Sequence, residues 1–256
     1  MMNTPLISVI IPVYTGSFML ERAIQSALCQ DMDLEILVIN DCSPEDVDTV
    51  MVPYAQDPRI LYLKNDKNLG AAESRNRGVW HARGKYIAFL DADDSWLPGK
   101  LQKQYTILEE TGAVLCATGR ELVKRSGEST GRTIGMPKTV TYRDLMKHNC
   151  ISCSSVVMKR EVALEFPMHH AQDSHEDYIM WLEILQKYGV AKGIDEPLLR
   201  YTISDQGKSG SKWKSAGMTL RVYRHMGFGP IKSAFCFCSY ALHGVWKHYC
   251  SPKHHQ

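Results

Sequence analysis

Three carboxylates stand close together after a short apolar run: Asp91, Asp93 and Asp94. Because successive residues of a strand point to opposite faces, we expect Asp91 and Asp93 to project the same way while Ala92 turns back into the fold. Two hard oxygen ligands on one side suit Mg²⁺ or Mn²⁺, which also binds phosphates and neutralises charge on a departing diphosphate. The alternative is that Asp94 or Ser95 caps a following helix, which leaves Asp91 and Asp93 unexplained.

The segments around these carboxylates predict an α/β fold. Apolar runs indicate strands at residues 7–11, 34–39, 60–63 and 85–90, the first stopping at Pro12. Helical periodicity is found at residues 17–28, 70–82 and 98–110, with Ser17 as the expected cap of the first helix. This alternation favours a mainly parallel, doubly wound sheet, in which ligands bind beyond the carboxyl ends of the strands. The residues at those ends are Pro12, Val13, Tyr14, Asp41 and Asp91.

The second half of the chain has a less regular pattern. Strands are predicted at residues 114–117 and 155–158, a loop at residues 127–135, and a helix at residues 178–188 with Trp181 facing inward. No Gly-x-Gly-x-x-Gly follows the first strand and no Gly-x-x-x-x-Gly-Lys-[Ser/Thr] occurs, which disfavours dinucleotide and phosphate-loop chemistry. With 256 residues, 44% of them hydrophobic, the chain can bury one substantial core.

Charge is distributed unevenly along the chain, although the net charge is only +2. Asp205 is the last acidic residue, and eight Lys and Arg follow it, so residues 1–205 hold 22 basic against 28 acidic side chains. Such a basic tail suits an anionic partner. Apolar residues recur at helical spacing over residues 234–249 but are interrupted by Lys and His, so the segment is too polar to span a bilayer. We expect either an interfacial helix or a helix docked on the core.

Five segments, taken in this order and spacing, resemble family 2 glycosyltransferases. They are residues 7–14, 40–43, 68–78, 90–94 and 176–178. The resemblance implies a GT-A fold, which is Rossmann-like, with a mostly parallel central sheet flanked by helices and a C-terminal helical tail. It implies a catalytic domain at residues 1–205, divided into a nucleotide-binding half (1–97) and an acceptor-binding half (98–205). The charge distribution and the apolar spacing described above predict a basic amphipathic extension at residues 206–256. The resemblance further implies a nucleotide-diphospho-sugar donor and inversion at the anomeric carbon.

Position by position, the resemblance gives Tyr14 the role of stacking on the base, with Pro12 and Val13 lining that slot. Asp41 would accept a hydrogen bond from the imide N–H of uracil, which cytosine does not offer at the same ring position. The alternatives are an ordinary core tyrosine at position 14 and an Asx-turn at Asp41. Cys42 departs from the glycine usual in this family, which constrains the turn after Asp41.

The resemblance also places the cations of the donor site. Arg75 is expected near the pyrophosphate or the base, where a permanent charge stabilises the donor, and its alternative is a surface-helix arginine. Asp93 is the expected direct ligand of Mn²⁺ or Mg²⁺, with Asp91 on the ribose or a metal-bound water and Ala92 beside it in the donor site. Many family members complete the metal shell with a late histidine, near whose place this chain has Thr202.

Asp177 is expected to be the general base, because a single displacement needs a carboxylate opposite the leaving diphosphate. The alternative is that Asp177 and Glu176 only favour the start of a helix. Glu176, Trp181, Arg200 and Lys208 are expected on the acceptor side or in a lid. Solvated surface charge is an equal explanation for the two basic residues.

Three other interpretations compete. A zinc site within residues 169–177 would activate water, but loop histidines are commonly solvated. A sugar-nucleotide pyrophosphorylase would need a glycine-rich basic loop after the first strand, and residues 12–16 lack it. A non-catalytic glycan-binding protein on the same fold would not need Asp93 and Asp177.

The sequence therefore predicts a metal-dependent inverting glycosyltransferase. The expected donor is a UDP-sugar, and the expected acceptor is a hydroxyl of a glycan or lipid-linked glycan in surface polysaccharide synthesis, such as lipopolysaccharide or capsule. No nucleic-acid partner is predicted. Because no secretory signal is evident, we expect a cytoplasmic protein that is peripheral at the inner face of the cell membrane, where the basic tail meets an anionic surface.

Overall fold

The computed structural model describes residues 4–169, 175–203 and 212–237, with the backbone alone for residues 212–215. Its N-terminal part holds four parallel strands in the spatial order β3-β2-β1-β4. These strands are β1 (Ile7–Val13), β2 (Leu34–Asn40), β3 (Ile60–Lys64) and β4 (Tyr86–Phe89). The connections are α1 (Ser17–Leu28), α2 (Val47–Met51), a 3-10 turn (Val52–Tyr54) and α3 (Ala71–His81).

The following residues, as far as the structure describes them, contribute six more strands to the same sheet. The strands are β5 (Ser95–Trp96), β6 (Leu115–Val123), β7 (Ser129–Ile134), β8 (Thr139–Thr141), β9 (Val157–Lys159) and β10 (Val190–Thr202). The helices are α4 (Lys100–Thr111), α5 (Tyr142–Lys147), α6 (Arg160–Glu165), α7 (Glu176–Tyr188) and α8 (Lys212–His225), with a 3-10 turn at Cys153–Ser155.

The sheet changes character at its middle. Strand β9 runs antiparallel between β4 and β6, and β10 then pairs parallel with β6 and antiparallel with β5 and β8. The predicted α/β class is confirmed, while the regular parallel order extends over the first four strands and gives way to a mixed sheet. Both predicted halves share this sheet, and the division at residue 97 stays a prediction.

Apolar side chains bury both faces of the sheet. In β1, Ile10 faces the layer that includes α3, α7 and α8, whereas Ile7, Val9 and Ile11 face the layer that includes α1 and α4. This alternation is what period-two geometry requires of a central strand. Gly78 lets α3 lie close against β1, since a Cβ there would stand 2.5 Å from Ile10 Cγ2.

Three local expectations were wrong. Strand β1 continues through Pro12, because pairing with β4 stops at Ile10 and leaves the proline beyond the doubly paired part. Gly16 rather than Ser17 precedes α1, with a φ of 82°, and the Glu45 carboxylate accepts the backbone N–H groups of both residues. Residues 129–134 form strand β7 instead of a loop; its side chains are largely exposed, so no apolar run marked it.

The C-terminal segment packs on the core as far as the structure describes it. Met218, Val222 and Tyr223 of α8 are buried, and the Tyr223 hydroxyl donates to the backbone oxygen of Met146 over 3.1 Å. A further helical segment begins at residue 230 and carries the exposed side chains of Ile231 and Phe235. Of the helices in the described ranges, none has the length and apolar character needed to cross a bilayer. Most of the predicted amphipathic segment at 234–249 lies outside the described residues.

Candidate active site

A cleft of 440 Å³ opens beyond the carboxyl ends of β1, β2 and β4. Its wall joins these strand ends to the start of α3, the start of α7 and the end of β10. Ten of the thirteen residues predicted to bind the substrates or the metal, or to act in catalysis, line it: Pro12, Val13, Tyr14, Asp41, Arg75, Asp91, Ala92, Asp93, Glu176 and Asp177. Side chains from distant segments therefore meet at one place, as the strand-end argument expected.

The other three residues do not line this cleft in the described structure. Trp181 is fully buried in the core, where its ring centroid lies 6.4 Å from that of Phe89. Arg200 points to Glu121, with 3.4 Å between its Nε and the carboxylate. Lys208 lies outside the described residues. The acceptor-side roles expected for Trp181 and Arg200 thus have no support in the wall of the cleft.

Asp41 follows the last residue of β2 and is buried. Its carboxylate accepts hydrogen bonds from Asn65 Nδ2 at 2.7 Å and from the backbone N–H groups of Leu69 and Gly70 at 2.8 Å. These bonds orient the carboxylate toward the cleft and fix the loop that leads into α3. The alternative of an Asx-turn at Asp41 is not what the structure shows, because the N–H of Ser43 donates to the Asn40 side-chain oxygen, three residues before it, over 2.8 Å.

Cys42 adopts a φ of 55°, in the left-handed region that favours glycine. This conformation explains why a glycine is usual at the corresponding place in the family that the sequence resembles. The turn is nevertheless kept, because the bonds of Asp41 hold it from one side and the Asn40 side chain holds it from the other.

The carboxylates at 91–94 lie in a turn rather than in an extended strand. Strand β4 ends at Phe89, and the N–H of Asp94 donates to the backbone oxygen of Asp91 over 3.0 Å. The strand alternation expected for Asp91 and Asp93 was therefore wrong, yet both still line the cleft. Asp94 does not cap a helix; it is buried, and its Oδ1 accepts the N–H of Thr202 at 2.9 Å.

Electrostatics in this turn favour a cation. Burial and, next, the charge of Asp91 raise the pKa of Asp93 to about 6, and burial together with Asp93 raises the pKa of Asp94 well above its usual range. Among the described residues, the Asp93 carboxylate forms no ion pair, and the nearby Arg75 pairs with Asp91 instead. A divalent cation would relieve the mutual repulsion of these acids, so the donor set fits Mg²⁺ or Mn²⁺.

Arg75 connects two parts of the cleft. It lies on α3, is buried, and donates through Nη2 to Asp91, while its Nη1 lies 3.8 Å from Glu176 Oε1 on α7. A surface-helix arginine is therefore not what the structure shows. Removing the guanidinium would take a buried cation away from the partly buried Asp91 and the buried Glu176.

Glu176 and Asp177 form the first turn of α7, where the helix dipole favours negative charge. The Asp177 Oδ1 accepts the N–H of Tyr178 at 2.8 Å. Burial and, next, the neighbouring Glu176 raise the pKa of Asp177. A carboxylate with a raised pKa is a better proton acceptor than an ordinary surface aspartate.

Four further residues of the wall were not predicted as part of the donor or acceptor site, and Thr202 was noted only for its position. Ser152, Cys153 and Met218 come from a loop, a 3-10 turn and α8, and His175 precedes the predicted base. Thr202 lies near the position of the histidine found in many family members. Its hydroxyl donates to the backbone carbonyl oxygen of Asp93. Only the folded chain brings these residues beside the carboxylates.

Arg22 supports the same backbone oxygen. Its Nη2 donates to the backbone carbonyl oxygen of Asp93 over 2.7 Å and lies 3.1 Å from Thr202 Oγ1. From the opposite side, the hydroxyl of Ser154 accepts the N–H of Asp91 at 3.1 Å. The carboxylate turn is thus fixed through its main chain, which leaves the Asp93 side chain free to face the cleft.

Comparison with known proteins places this site in context. Residues 8–165 match the family model described as glycosyl transferase family 2. The chain is 33% identical over 246 residues to the "Putative teichuronic acid biosynthesis glycosyltransferase TuaG" of Bacillus subtilis (strain 168), covering 95% of this chain and 97% of that protein. It is 29% identical to the "UDP-Glc:alpha-D-GlcNAc-diphosphoundecaprenol beta-1,3-glucosyltransferase WfaP" of Escherichia coli, covering 95% of each chain.

Solved structures with the same fold have low sequence identity to this chain. The first 349 residues of S. aureus TarS in complex with UDP-GlcNAc align with a TM-score of 0.72 at 14% identity, covering 95% of this chain and 73% of that chain. The mannosyltransferase PcManGT from Pyrobaculum calidifontis, in complex with GDP-Man and Mn²⁺, aligns with a TM-score of 0.64 at 14% identity, covering 98% and 77%. The fold is therefore that of the GT-A glycosyltransferases.

The family match spans β1 to α6 and includes the donor-side wall of the cleft. The relatives extend the similarity over 95% of the chain. The predicted family and enzyme class are thereby confirmed. The chain is an enzyme that belongs to glycosyl transferase family 2.

Proposed function

We propose that this enzyme transfers a sugar from a UDP-sugar to a hydroxyl of a lipid-linked glycan, with inversion at the anomeric carbon. The observation that carries the proposal is the meeting of Asp41, Asp93 and Asp177 in one cleft, whose wall also includes Arg75. These residues offer a base-recognition group, a metal ligand and a proton acceptor. Single displacement needs a proton acceptor for the attacking hydroxyl and charge stabilisation for the departing diphosphate, and the base-recognition group would hold the donor in place for this step.

The base slot supports a uracil nucleotide. The Tyr14 side chain is 42% exposed at the mouth of the cleft, so its ring is available for stacking, with Pro12 and Val13 beside it. The Asp41 carboxylate can accept a further hydrogen bond besides the three it receives from the protein. The WfaP relative is named for UDP-Glc, and a TarS structure contains UDP-GlcNAc, which agrees with the same donor class.

Asp93 would hold the divalent cation, and Asp91 would orient the ribose or a metal-bound water. When bound, Mn²⁺ or Mg²⁺ supplies charge stabilisation for the diphosphate of the departing UDP. Arg75 places a permanent cation next to Asp91 and limits the net negative charge of the cleft. The PcManGT structure, which contains Mn²⁺ and GDP-Man on the same fold, supports this class of cation.

Asp177 would act as the general base. As the acceptor oxygen bonds to the anomeric carbon, the bond from that carbon to the UDP oxygen breaks, and the hydroxyl proton moves to the Asp177 carboxylate. The position of Asp177 at the start of α7 is fixed by its bond to the N–H of Tyr178, so the carboxylate needs no reorientation. Glu176 holds Arg75 in place and contributes to the raised pKa of the base.

Asp177→Asn tests this assignment. We expect transfer to fall by about 1,000-fold, because general-base catalysis contributes roughly 100- to 10,000-fold. The affinity for UDP should stay within about threefold, a change of less than 1 kcal/mol. UDP release in the presence of acceptor, and titration calorimetry with UDP, measure the two quantities. Loss of UDP binding would instead make Asp177 a structural residue.

The acceptor side points to a membrane surface. The helical segment from residue 230 carries Ile231, 87% exposed, and Phe235, 76% exposed, one turn apart, with Lys232 between them. Apolar and basic side chains at such spacing suit the interface of an anionic bilayer. The WfaP relative is named for a diphosphoundecaprenol-linked acceptor, which is a membrane lipid. We therefore place the enzyme at the inner face of the membrane, on a surface polysaccharide pathway.

The double variant Ile231→Ser/Phe235→Ser tests the attachment. We expect its binding to vesicles containing phosphatidylglycerol to fall about tenfold, since burial of apolar carbons drives interfacial binding. Trp80→Ser, which removes another exposed aromatic side chain on α3, is the matched control and should bind as the unmodified enzyme does. Equal binding by all three proteins in a vesicle sedimentation assay would refute attachment through this segment.

A further inference from the structure

A second group of metal-ligating side chains lies outside the lining of the cleft. His169 follows α6, Glu183 lies in the middle of α7, and His225 ends α8. One ligand atom from each lies within 4.8 Å of the other two. Two elements and one connecting segment, separated in sequence, therefore converge on a single point. We propose that these three residues form a Zn²⁺ site distinct from the cation site of the cleft.

The distances suit tetrahedral coordination. His225 Nε2 lies 3.0 Å from Glu183 Oε1, and His169 Nε2 lies 3.2 Å from both oxygens of that carboxylate. In a tetrahedral site with metal–ligand bonds near 2.0–2.1 Å, neighbouring ligand atoms are about 3.3 Å apart. The two imidazole rings face the same carboxylate with their centroids 4.6 Å apart. An ion among the three atoms would meet ligands already near these positions.

The ligand types distinguish this site from the cleft. Two imidazoles and one carboxylate suit Zn²⁺, whereas the all-oxygen set at 91–94 suits Mg²⁺ or Mn²⁺. Three protein ligands leave the fourth position to water. His169 and Glu183 also line an open groove with Phe166 and Gln186, so an ion can enter from solvent. The two sites would therefore select different ions from the same solution.

The site would fasten the C-terminal segment to the catalytic core. Helix α7 begins with the proposed base Asp177, and α8 contributes Met218 to the wall of the cleft. Zn²⁺ between Glu183 and His225 joins these helices directly, and His169 adds the segment after α6. Bound metal stabilises the folded state in proportion to the logarithm of its concentration over Kd. The ion is thus assigned a structural role.

A hydrogen-bonded cluster without metal is the competing explanation, since one carboxylate can accept bonds from two imidazoles. The variant Glu183→Gln distinguishes the zinc site from the metal-free hydrogen-bonded cluster. The amide oxygen still accepts a hydrogen bond from an imidazole, but a neutral amide is a far weaker zinc ligand than a carboxylate. His169→Gln/His225→Gln removes both nitrogen ligands. His81→Gln is the matched control, because His81 is an exposed histidine on α3 whose Nδ1 contacts only the Arg77 backbone oxygen among its described contacts.

The experiment uses the full chain, stripped of metal with a chelator and then titrated with ZnCl₂. We expect one tight Zn²⁺ per chain and a rise in Tm, both retained in His81→Gln and in Asp93→Ala. Affinity should fall at least tenfold in Glu183→Gln and further in the double variant. Co²⁺ in place of Zn²⁺ should give the visible absorption bands of tetrahedral coordination, and these should be lost in both variants.

Two results would overturn the site. One is no tight Zn²⁺ binding by the unmodified chain; the other is unchanged binding by the double variant, which would locate the ion on other residues. Circular dichroism checks that each variant is folded. If a substitution prevents folding, the Co²⁺ spectrum of the unmodified chain decides, because octahedral bands would contradict the His₂Glu geometry. Activity with Mn²⁺ is a separate readout, so a failed zinc site leaves the proposed transfer reaction untouched.

Discussion

The two halves of the cleft are built in different ways. On the donor side, Tyr14, Asp41 and Asp91 each follow a parallel strand of the N-terminal part, so they stand at one edge because the strands run the same way. On the other side, Asp177 begins a helix and Thr202 ends a long strand that belongs to the mixed part of the sheet. No strand-end rule brings those two residues to the cleft.

The donor side of the cleft thus follows from the parallel strand order, whereas the second wall depends on the particular packing of α7 and β10 in this chain. The shared sheet joins the two sides, and side-chain contacts across the cleft add to it. Arg75 binds Asp91 on its own side and approaches Glu176 on the other, and Thr202 with Arg22 secures the backbone of Asp93. We expect substitutions at these junctions to affect both stability and catalysis.

The largest effect is expected at the junction itself. Arg75→Met should lower the free energy of unfolding by about 3 kcal/mol, because it removes a buried guanidinium that pairs with the partly buried Asp91 and approaches the buried Glu176. Urea denaturation with a chelator present measures this change. Arg59→Met is the matched control: its pair with Asp57 is exposed and lies within one half, so the change should stay below about 0.5 kcal/mol. Equal losses in the two variants would mean that Arg75 does not couple the halves.

A somewhat smaller effect is expected for the donor side alone. Asp93→Ala should weaken UDP-sugar binding in the presence of Mn²⁺ by about 100-fold, roughly 2.7 kcal/mol, and leave binding in chelator unchanged. Asp33→Ala, an exposed acid just before the opposite end of β2, should bind as the unmodified enzyme does. Calorimetry with and without Mn²⁺ gives both values. Unchanged Mn²⁺-dependent binding in Asp93→Ala would assign the metal to another carboxylate.

The smallest effect concerns the acid limb of the pH profile. The pKa of Asp177 is raised by burial and by Glu176, and the ionised form accepts the proton, so kcat/KM should fall about tenfold per pH unit below that raised pKa. Activity is therefore kept at high pH and lost as pH falls. Glu176→Gln removes a negative neighbour and should move the limb to lower pH. A limb that stays in place, measured at saturating Mn²⁺, would show that another group controls it.

Sequence patterns predicted the donor side well because its elements are local. The four parallel strands were placed within two residues of their observed ends, whereas the two-residue strand β5 was not predicted. On the other side of the cleft, the helix predicted at 178–188 begins two residues earlier, at Glu176. Strand β7 was missed because an exposed edge strand has no apolar run. The structure of the tail beyond residue 237 stays a prediction, as do the membrane role and the domain division.

The sequence by itself determined the chemical inventory: acids at 41, 91, 93 and 177, an arginine at 75, and the order of segments that marks the family. Tertiary structure alone decided how these groups are used. Asp94 became a buried acceptor for the N–H of Thr202, and Thr202 became a donor to the Asp93 backbone, whereas helical spacing had already predicted that Trp181 faces inward. The physical reason is the distance along the sequence over which each effect acts. Propensity and periodicity depend on residues that are a few positions apart. Burial, ion pairs and the convergence of His169, Glu183 and His225 depend on distant segments that only the folded chain brings together.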